Sequence, residues 1–201
     1  MVVGLTGQTG AGKSMISTLL RKLNSVRVID CDQIAKKVAV GECLIRLAIE
    51  LSPTILAEDG TLNRRRLGSI VFSDRQKKQQ MEQIIYPYIL GEIERELEDF
   101  RNSSDILAVL DAPTLFEAGA DKLCDVTVCV TADSMVRLAR IVERDKISVE
   151  EATARMLSQT SEQDLCARCD HVIENSKSLE EAQRSALMLF SSLLHKATSQ
   201  S

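Results

Sequence analysis

The residues best suited to chemistry lie within the first fourteen positions of the chain. Residues 7–14 read Gly-Gln-Thr-Gly-Ala-Gly-Lys-Ser, the pattern G-x-x-x-x-G-K-S, placed after an apolar run and before a helical pattern. In such a loop, backbone N–H groups surround the β-phosphate of a nucleotide, and the glycines let the backbone approach closely. The lysine reaches the β- and γ-phosphates, and the serine hydroxyl can bind Mg²⁺. The segment predicts a P-loop that binds ATP or GTP with Mg²⁺.

Every position of this loop has an expected part in nucleotide binding. A helix from Lys13 to about residue 23 should direct its positive end at the phosphates. The predicted nucleotide-binding residues are Gly7, Gln8, Thr9, Gly10, Ala11, Gly12, Lys13 and Ser14.

Two further strand-like runs end in carboxylates. Residues 26–29 lead into Asp30 and Asp32, and the apolar residues 106–110 lead into Asp111. Ligands of a parallel α/β sheet bind beyond the carboxyl ends of its strands, so these carboxylates are expected at the same edge as the loop. A carboxylate there can accept a proton from a substrate hydroxyl or hold Mg²⁺. Alternatively, one member of the first pair caps the next helix, and both roles can hold at once.

Three adjacent arginines, residues 64–66, stand out in an acidic chain. They predict either a solvated helix face or a site for a phosphate or anionic substrate, because arginine binds phosphate through two parallel hydrogen bonds. The sequence leaves both interpretations open.

A second arginine group follows the fourth strand-like run. A helix over residues 134–145 places Arg140 and Arg144 four residues apart on one face. Ser148 to Glu151 reads as a capping box that begins another helix. Such helices suit a mobile lid whose arginines neutralise charge during phosphoryl transfer. The alternative is that these are surface arginines paired with Glu143 or Glu151.

Apolar strands that alternate with amphipathic helices must position these groups. The pattern predicts an α/β fold, a P-loop NTPase-like parallel sheet flanked by helices, with a helical substrate-binding insertion and an arginine-bearing lid. Within a single domain over 1–201, the expected parts are a core (about 1–32, 103–133 and 170–196), an insertion (about 33–102) and a lid (about 134–169). A helix is expected over residues 33–51, with an interruption near Gly41. A second is expected over residues 74–99, in which Pro87 implies a kink or a break. A third is expected over residues 178–195 and is followed by a polar tail.

Composition narrows the class of protein. The 201 residues carry a net charge of −4 with no basic tract, so nucleic acid is not an expected partner. No apolar stretch approaches the length of a membrane span and no secretory signal is seen, so we expect a cytoplasmic protein with reduced thiols. Cys129 is expected to be a small buried hydrophobe. The pair Cys166 and Cys169 resembles half a zinc site, but no second C-x-x-C pair exists.

Taken in order, these parts resemble the dephospho-coenzyme A kinase family. The Asp-x-Asp segment, Leu62-Asn-Arg-Arg65 and Leu115-Phe-Glu-Ala-Gly119 are more particular to that family than the P-loop, which many kinases share. The likeness runs from residue 1 to about residue 190 and is carried by residues 4–14, 28–35, 59–65, 67–68, 71–72 and 110–119, by Arg140 with residues 144–145, and by residues 170–175.

The resemblance implies an enzyme that phosphorylates the ribose 3′-hydroxyl of dephospho-coenzyme A with ATP and Mg²⁺, the last step of coenzyme A synthesis. It also implies a nucleotide-binding core, a helical coenzyme A domain and a lid. The base of the family falls on Asp32. The expected catalytic residues are Asp32, Lys13, Arg140 and Arg144; the expected substrate-binding residues are Asp32, Arg64, Arg65, Asp111, Phe116 and Glu117; and the expected metal ligands are Ser14, Asp30 and Asp111.

The chain departs from the usual family pattern in four places. It has Gln8-Thr9 where Gly-Ile is more frequent, Cys31 where a small residue is usual, Tyr86 where histidine is common, and Thr114 where leucine is common. None of these changes removes a phosphate ligand or the proposed base.

Two other classes of protein fit parts of the pattern. Another small-molecule P-loop kinase would share the Gly-Lys-Ser segment and the arginines of the lid. A nucleotide-dependent switch would share the P-loop alone, and the Asn-Lys-x-Asp segment typical of guanine-specific switches is absent from the sequence.

Overall fold

A five-stranded parallel sheet organises the computed structural model, which describes residues 1–199, and confirms the predicted fold class. The strand order is β2-β3-β1-β4-β5, so the strand that leads into the P-loop is central. The strands are β1 (Val2–Gly7), β2 (Val26–Asp30), β3 (Leu107–Asp111), β4 (Val126–Thr131) and β5 (His171–Glu174).

Nine α-helices are found among the described residues. They are α1 (Lys13–Leu20), α2 (Cys31–Val38), α3 (Gly41–Glu50), α4 (Arg64–Ser73), α5 (Arg75–Arg101), α6 (Ser134–Asp145), α7 (Val149–Leu157), α8 (Glu162–Ala167) and α9 (Leu179–Thr198). Among these helices, none is long and apolar enough to cross a membrane.

Three of these helices differ from the expected bounds. The first helix ends at Leu20, earlier than predicted. Helix α5 runs unbroken through Pro87, so the predicted possibility of a break at this proline was wrong. The helix buries a continuous apolar row that includes Ile85 and Ile89, and this burial outweighs the backbone hydrogen bond that proline removes. Helix α9 extends to Thr198, so part of the predicted polar tail is helical, and the last two residues of that tail lie outside those described.

The chain divides into two compact units. One comprises Met1–Ile29 and the chain from Phe100 onward, and it contains the sheet; the other is Asp30–Asp99 and is helical. The bounds predicted for the insertion, 33–102, and for the lid, 134–169, stay predictions.

The core of the first unit explains why the strands read as continuous apolar runs. Strands β1, β3 and β4 are buried along their whole length, because helices cover both faces of a parallel sheet. Ile16 and Leu20 of α1 pack into this core together with Phe190 of α9. These contacts fix α1, and hence the loop before it, against the sheet.

The register of the sheet brings several chain segments to one edge. Leu5 of β1 pairs with Asp111, the last residue of β3. Gly7 pairs with Val130, near the end of β4, and Thr131 pairs with Glu174 at the end of β5. The P-loop, Asp111 and the segment after β5 therefore meet at the carboxyl ends of the strands.

The helical unit contains a buried carboxylate, Glu92, which forms ion pairs with Lys37 and Arg95. Hydrogen bonding from Lys37, helped by the charge of Arg95, holds the pKa of Glu92 below its usual value. Because the folded pKa is the lower one, this stabilisation is complete above about pH 4.3, the unfolded value, and is lost as the pH falls through the folded value.

We expect the free energy of unfolding to drop between about pH 5 and about pH 3, and to drop less in a Glu92→Gln variant, which lacks the titrating group. Urea denaturation at the two pH values measures this. An equal drop in both proteins would show that Glu92 does not contribute to the acid sensitivity.

Candidate active site

The P-loop presents its helix end without a side-chain cap. Gly12, which precedes α1, has the left-handed backbone angles φ 98° and ψ 16°, and no side chain caps the helix there. Ala11 N donates to Gln8 O at 3.1 Å, which turns the loop. An uncapped helix N-terminus leaves backbone N–H donors at its positive end, and such an end favours an anion.

Asn175, directly after β5, lies so close to the P-loop that residue 12 must be glycine. The buried Asn175 side chain donates from Nδ2 to Ala11 O at 2.8 Å. A Cβ atom on Gly12 would lie 2.1 Å from that nitrogen. The left-handed backbone and this close approach exclude a side chain at the same position.

Gly12→Ala is therefore expected to weaken ATP binding by about 10- to 100-fold. The alanine side chain would displace the Asn175 amide and strain the backbone, at a cost of roughly 1–3 kcal/mol. Calorimetric titration with ATP and Mg²⁺ measures the change. Gly91→Ala is the control, because Gly91 lies in α5 with open space around it; it should bind ATP normally and gain about 0.5–1 kcal/mol of stability. Equal affinities of the two variants would contradict this account.

Lys13 and Asp111 form an ion pair at the carboxyl end of the sheet. Their side chains are only 13% and 10% exposed. The pairing of β1 with β3 places the carboxylate next to the first residue of α1, where the sequence predicted it. The structure thus brings together the predicted phosphate-binding lysine and one of the predicted metal ligands.

Both predicted lid arginines reach the P-loop. Arg140 donates to Gly10 O at 3.3 Å and to Asn175 O at 3.0 Å, so it joins the loop to the end of β5. Arg144 donates from Nη2 to Thr9 Oγ1 at 3.5 Å. It also holds Asp145 through two hydrogen bonds of 2.7 and 2.9 Å, rather than either of the glutamates considered as partners.

The segment between α7 and α8 lies over the first half of the P-loop. Gln8 Nε2 donates to Thr160 O at 2.7 Å, and Thr9 N donates to Gln159 Oε1 at 3.1 Å. Thr160 Oγ1 also donates to Glu117 Oε1 at 2.9 Å. Gln8 and Thr9, two of the departures from the family pattern, therefore connect the loop to the predicted lid.

Phe116, the other predicted substrate residue after β3, contacts the same region. The guanidinium of Arg168 lies 4.0 Å from the centre of its ring, a cation–π arrangement. Both Phe116 and Glu117 are thus placed beside the predicted lid, and their part in substrate binding stays a prediction.

Arg137 is a buried arginine that fixes the P-loop to α6. It is only 4% exposed, and it donates to Thr9 O at 3.0 Å and to the side chain of Gln8. Burial lowers the pKa of Arg137, and the nearby charge of Glu162 opposes that effect. A buried cation that is held by the loop has a positioning role.

We expect Arg137→Met to cost about 1.5–3 kcal/mol of unfolding free energy, because it removes two hydrogen bonds from a charged donor, and to raise the KM for ATP. Denaturation curves and steady-state kinetics measure both effects. Met135→Ala, on the same helix but 69% exposed, should stay within about 0.5 kcal/mol of the parent. An unchanged KM for ATP in the Arg137 variant would argue against the positioning role.

Four predicted site residues belong to the helical unit. Asp30 caps α2 by accepting from Gln33 N at 3.0 Å, which confirms that one carboxylate of the pair is a helix cap. Asp32 is exposed in the first turn of the same helix. Arg64 and Arg65 are exposed at the start of α4, and Arg64 donates to Lys36 O at 3.0 Å. Their roles toward a substrate, and that of Asp30 toward a metal, stay predictions.

The oxygen donors at the P-loop suit Mg²⁺. The Ser14 hydroxyl and the Asp111 carboxylate are ligands that this ion prefers, and Mg²⁺ usually takes one or two carboxylates together with substrate phosphates. Within the described part of the chain, no cluster of three or more histidine, cysteine, aspartate or glutamate side chains is arranged to hold a metal ion. A magnesium ion held mainly by the nucleotide does not need such a cluster.

Four residues that the structure places at this site were not among the predicted site residues, namely Asn175, Arg137, Gln159 and Thr160. The first follows directly after a strand, as Asp111 ends one, so its position at the sheet edge was available as a signal. Arg137 lies one turn before Arg140 on the same helix. Nothing local marks Gln159 and Thr160, which contact the loop across about 150 residues of chain.

A family model and two curated relatives that this chain resembles carry the same description. A family model described as Dephospho-CoA kinase matches residues 1–181. A protein named Dephospho-CoA kinase from Listeria innocua is 34% identical over 187 residues, which cover 92% of this chain and 93% of the relative. Another of that name from Symbiobacterium thermophilum is 35% identical over 187 residues, covering 90% of this chain and 77% of the relative.

A solved structure is also similar. The crystal structure of a Thermus thermophilus protein superposes with a TM-score of 0.80 at 31% sequence identity, covering 96% of this chain and 97% of that one. The likeness therefore extends over the sheet and both units of the chain.

Proposed function

The chain belongs to the dephospho-CoA kinase family, and from that premise we propose that it transfers the γ-phosphoryl group of ATP to the ribose 3′-hydroxyl of dephospho-coenzyme A. The products are ADP and coenzyme A, so the reaction is the final step of coenzyme A biosynthesis. The single observation that carries the proposal is the P-loop, with its uncapped helix end and the Lys13–Asp111 pair, in a chain matched by that family model over residues 1–181.

The nucleotide is held by the loop itself. Backbone N–H groups from Gly10 to Ser14 bind the phosphates, and Lys13 contacts the β- and γ-phosphates as a point charge. Mg²⁺, when bound by Ser14 and Asp111, supplies charge neutralisation at the phosphates. Asn175 and Arg137 keep the loop in the shape that these contacts need, since both bind its backbone carbonyls.

The arginines of α6 stabilise the group in transfer. Arg140 contacts the Gly10 carbonyl and Arg144 reaches Thr9, so both guanidinium groups lie beside the first half of the loop, from which we propose that they contact the γ-phosphate. Fixed positive charge at the equatorial oxygens lowers the barrier more than it stabilises the ground state. Closure of the predicted lid excludes water and so limits ATP hydrolysis.

The acceptor hydroxyl is oriented by Asp32, which also receives its proton late in the transfer. Phosphoryl transfer has a loose transition state, so positioning contributes more than basicity. Asp30 is the helix cap of α2, and the base expected from the family falls on Asp32, the other member of the pair. The anionic pyrophosphate of the acceptor is bound by Arg64 and Arg65, whose side chains are exposed and charged.

The test is ATP-dependent phosphorylation of dephospho-coenzyme A by the purified chain, with adenosine, AMP and gluconate as control acceptors. Mass spectrometry follows the added phosphate, and phosphorus NMR identifies the 3′ position. We expect turnover of dephospho-coenzyme A alone. Turnover of only a control acceptor would show a different small-molecule kinase, and tight ATP binding with no transfer would favour a nucleotide-dependent switch.

A further inference from the structure

Gln159 reaches the P-loop from the end of α7. Its Oε1 atom accepts a hydrogen bond of 3.1 Å from Thr9 N, an N–H group of the loop itself. The contact joins residues 150 positions apart in the chain. Neither the phosphate contacts nor the acceptor contacts of the proposed kinase reaction include this side chain, so its part in the site is still to be assigned.

The backbone on both sides of the Gln159 side chain is fixed. Gln159 N donates to Met156 O at 3.3 Å, directly after α7. Thr160 O accepts from Gln8 Nε2 at 2.7 Å, and Thr160 Oγ1 donates to Glu117 Oε1 at 2.9 Å. The side chain of Gln159 therefore extends to the loop from a backbone that is held in place at the loop and at the segment after β3.

The hydrogen bond from Thr9 determines how the Gln159 amide is oriented. A backbone N–H can only donate, so the amide atom that faces it must be the oxygen, and the nitrogen Nε2 forms the other branch of the same planar group. Within residues 1–199, no hydrogen bond from this nitrogen is found. A half-buried side chain thus presents an amide donor beside the first half of the loop.

Two guanidinium groups contact the same part of the loop. Arg144 Nη2 donates to Thr9 Oγ1 at 3.5 Å, and Arg140 Nη1 donates to Gly10 O at 3.3 Å. Arg144 is paired with Asp145, but among the described residues no carboxylate lies within ion-pair distance of Arg140. Positive charge without a counter-ion beside a phosphate-binding loop favours an anion, and a neighbouring amide donor adds a directed hydrogen bond to it.

We propose that Gln159 is a specificity-determining residue that binds the γ-phosphate of ATP: Thr9 N holds its oxygen, and its Nε2 donates to a γ-phosphate oxygen. The inference rests on the proposed function, because it takes ATP to be the phosphoryl donor. ADP lacks that phosphate, so the contact contributes to the affinity for ATP and not to the affinity for ADP. A hydrogen bond to a charged oxygen corresponds to a factor of about ten or more in affinity.

Two variants separate the two ends of the side chain. Gln159→Glu keeps an oxygen that can accept from Thr9 N but replaces the donor with a second oxygen, and Gln159→Met removes both groups without adding charge. Calorimetric titrations with ATP and with ADP, each with Mg²⁺, measure the affinities. We expect the ratio of ATP affinity to ADP affinity to fall at least about tenfold in both variants.

Gln163→Glu is the matched control for the added charge. Gln163 is exposed in α8, within the same predicted lid, so this variant introduces the same negative charge away from the loop. The ratio of the two affinities should stay within about twofold of the parent value, because an exposed charge is screened by solvent. A tenfold fall in this control as well would overturn the proposal, since charge alone would then explain the result.

A purely structural role of Gln159 gives a different pattern. If the side chain only fastens the predicted lid to the loop, Gln159→Met should weaken ATP and ADP equally and Gln159→Glu should weaken neither, which would overturn the proposal. The titrations need no acceptor, so failure of the proposed function is seen separately. A parent protein that phosphorylates only a control acceptor overturns that function, whereas normal phosphorylation of dephospho-coenzyme A with an unchanged affinity ratio in both variants overturns only the role of Gln159.

Discussion

Lys13→Ala is expected to lower kcat for phosphoryl transfer by about 10²–10³ and to weaken ATP binding. The lysine contributes a fixed positive charge where negative charge is shared between the β- and γ-phosphates, and alanine leaves that charge uncompensated. Single-turnover kinetics at saturating ATP separates the loss of rate from the loss of affinity.

Lys22→Ala is the matched control for this variant. Lys22 is exposed just beyond the end of the same helix and has no predicted contact with phosphate, so kcat should stay within about twofold. Thermal denaturation belongs beside the kinetics, because Lys13→Ala also leaves the buried carboxylate of Asp111 without its ion-pair partner. A folded Lys13→Ala protein with normal turnover would exclude the proposed role.

Asp32→Ala should lower kcat by about 10²–10⁴, the usual effect of losing a general base. The affinity for ATP should change little, because nothing in the proposed nucleotide contacts involves Asp32. Asp32→Asn should show a similar loss, since the amide keeps the shape of the side chain but cannot accept the proton.

Asp74→Asn provides the comparison for Asp32. Asp74 also stands at the start of a helix in the same unit, where its carboxylate accepts from Gln76 N and Lys77 N at 2.8 and 3.1 Å. Asparagine is an equally good cap, so this variant should keep full activity. Near-normal turnover by Asp32→Ala would move the search for the base to another carboxylate.

The sheet and the nucleotide loop were predictable because local signals and the global fold agree. Apolar runs ending in Asp111 and in Asp30 marked strands of the sheet, and the loop pattern marked the strand-to-helix turn. The rule that ligands bind beyond the carboxyl ends of strands then sufficed to place Lys13 and Asp111 together.

Most of the contacts that hold the loop could not be predicted from the sequence, and the reason is physical. They join residues that are distant in sequence, such as Gln8 and Thr160, and depend on how helices pack on the sheet. Arg137 illustrates the limit, because its charge indicates a surface position whereas three-dimensional packing buries it. Pro87 likewise breaks helices locally, yet the packing of α5 overrides that preference.

The ion pair between Lys13 and Asp111 makes nucleotide binding an exchange of partners. ATP must take the lysine from a carboxylate that already compensates its charge in a sparsely solvated position. The net affinity is therefore the difference between two electrostatic interactions rather than the full strength of one. When ADP leaves, the same carboxylate is at hand to recapture the lysine, so the loop is not left with an unpaired buried charge. The resting pair thus limits how tightly the product is held and favours its release after each turnover.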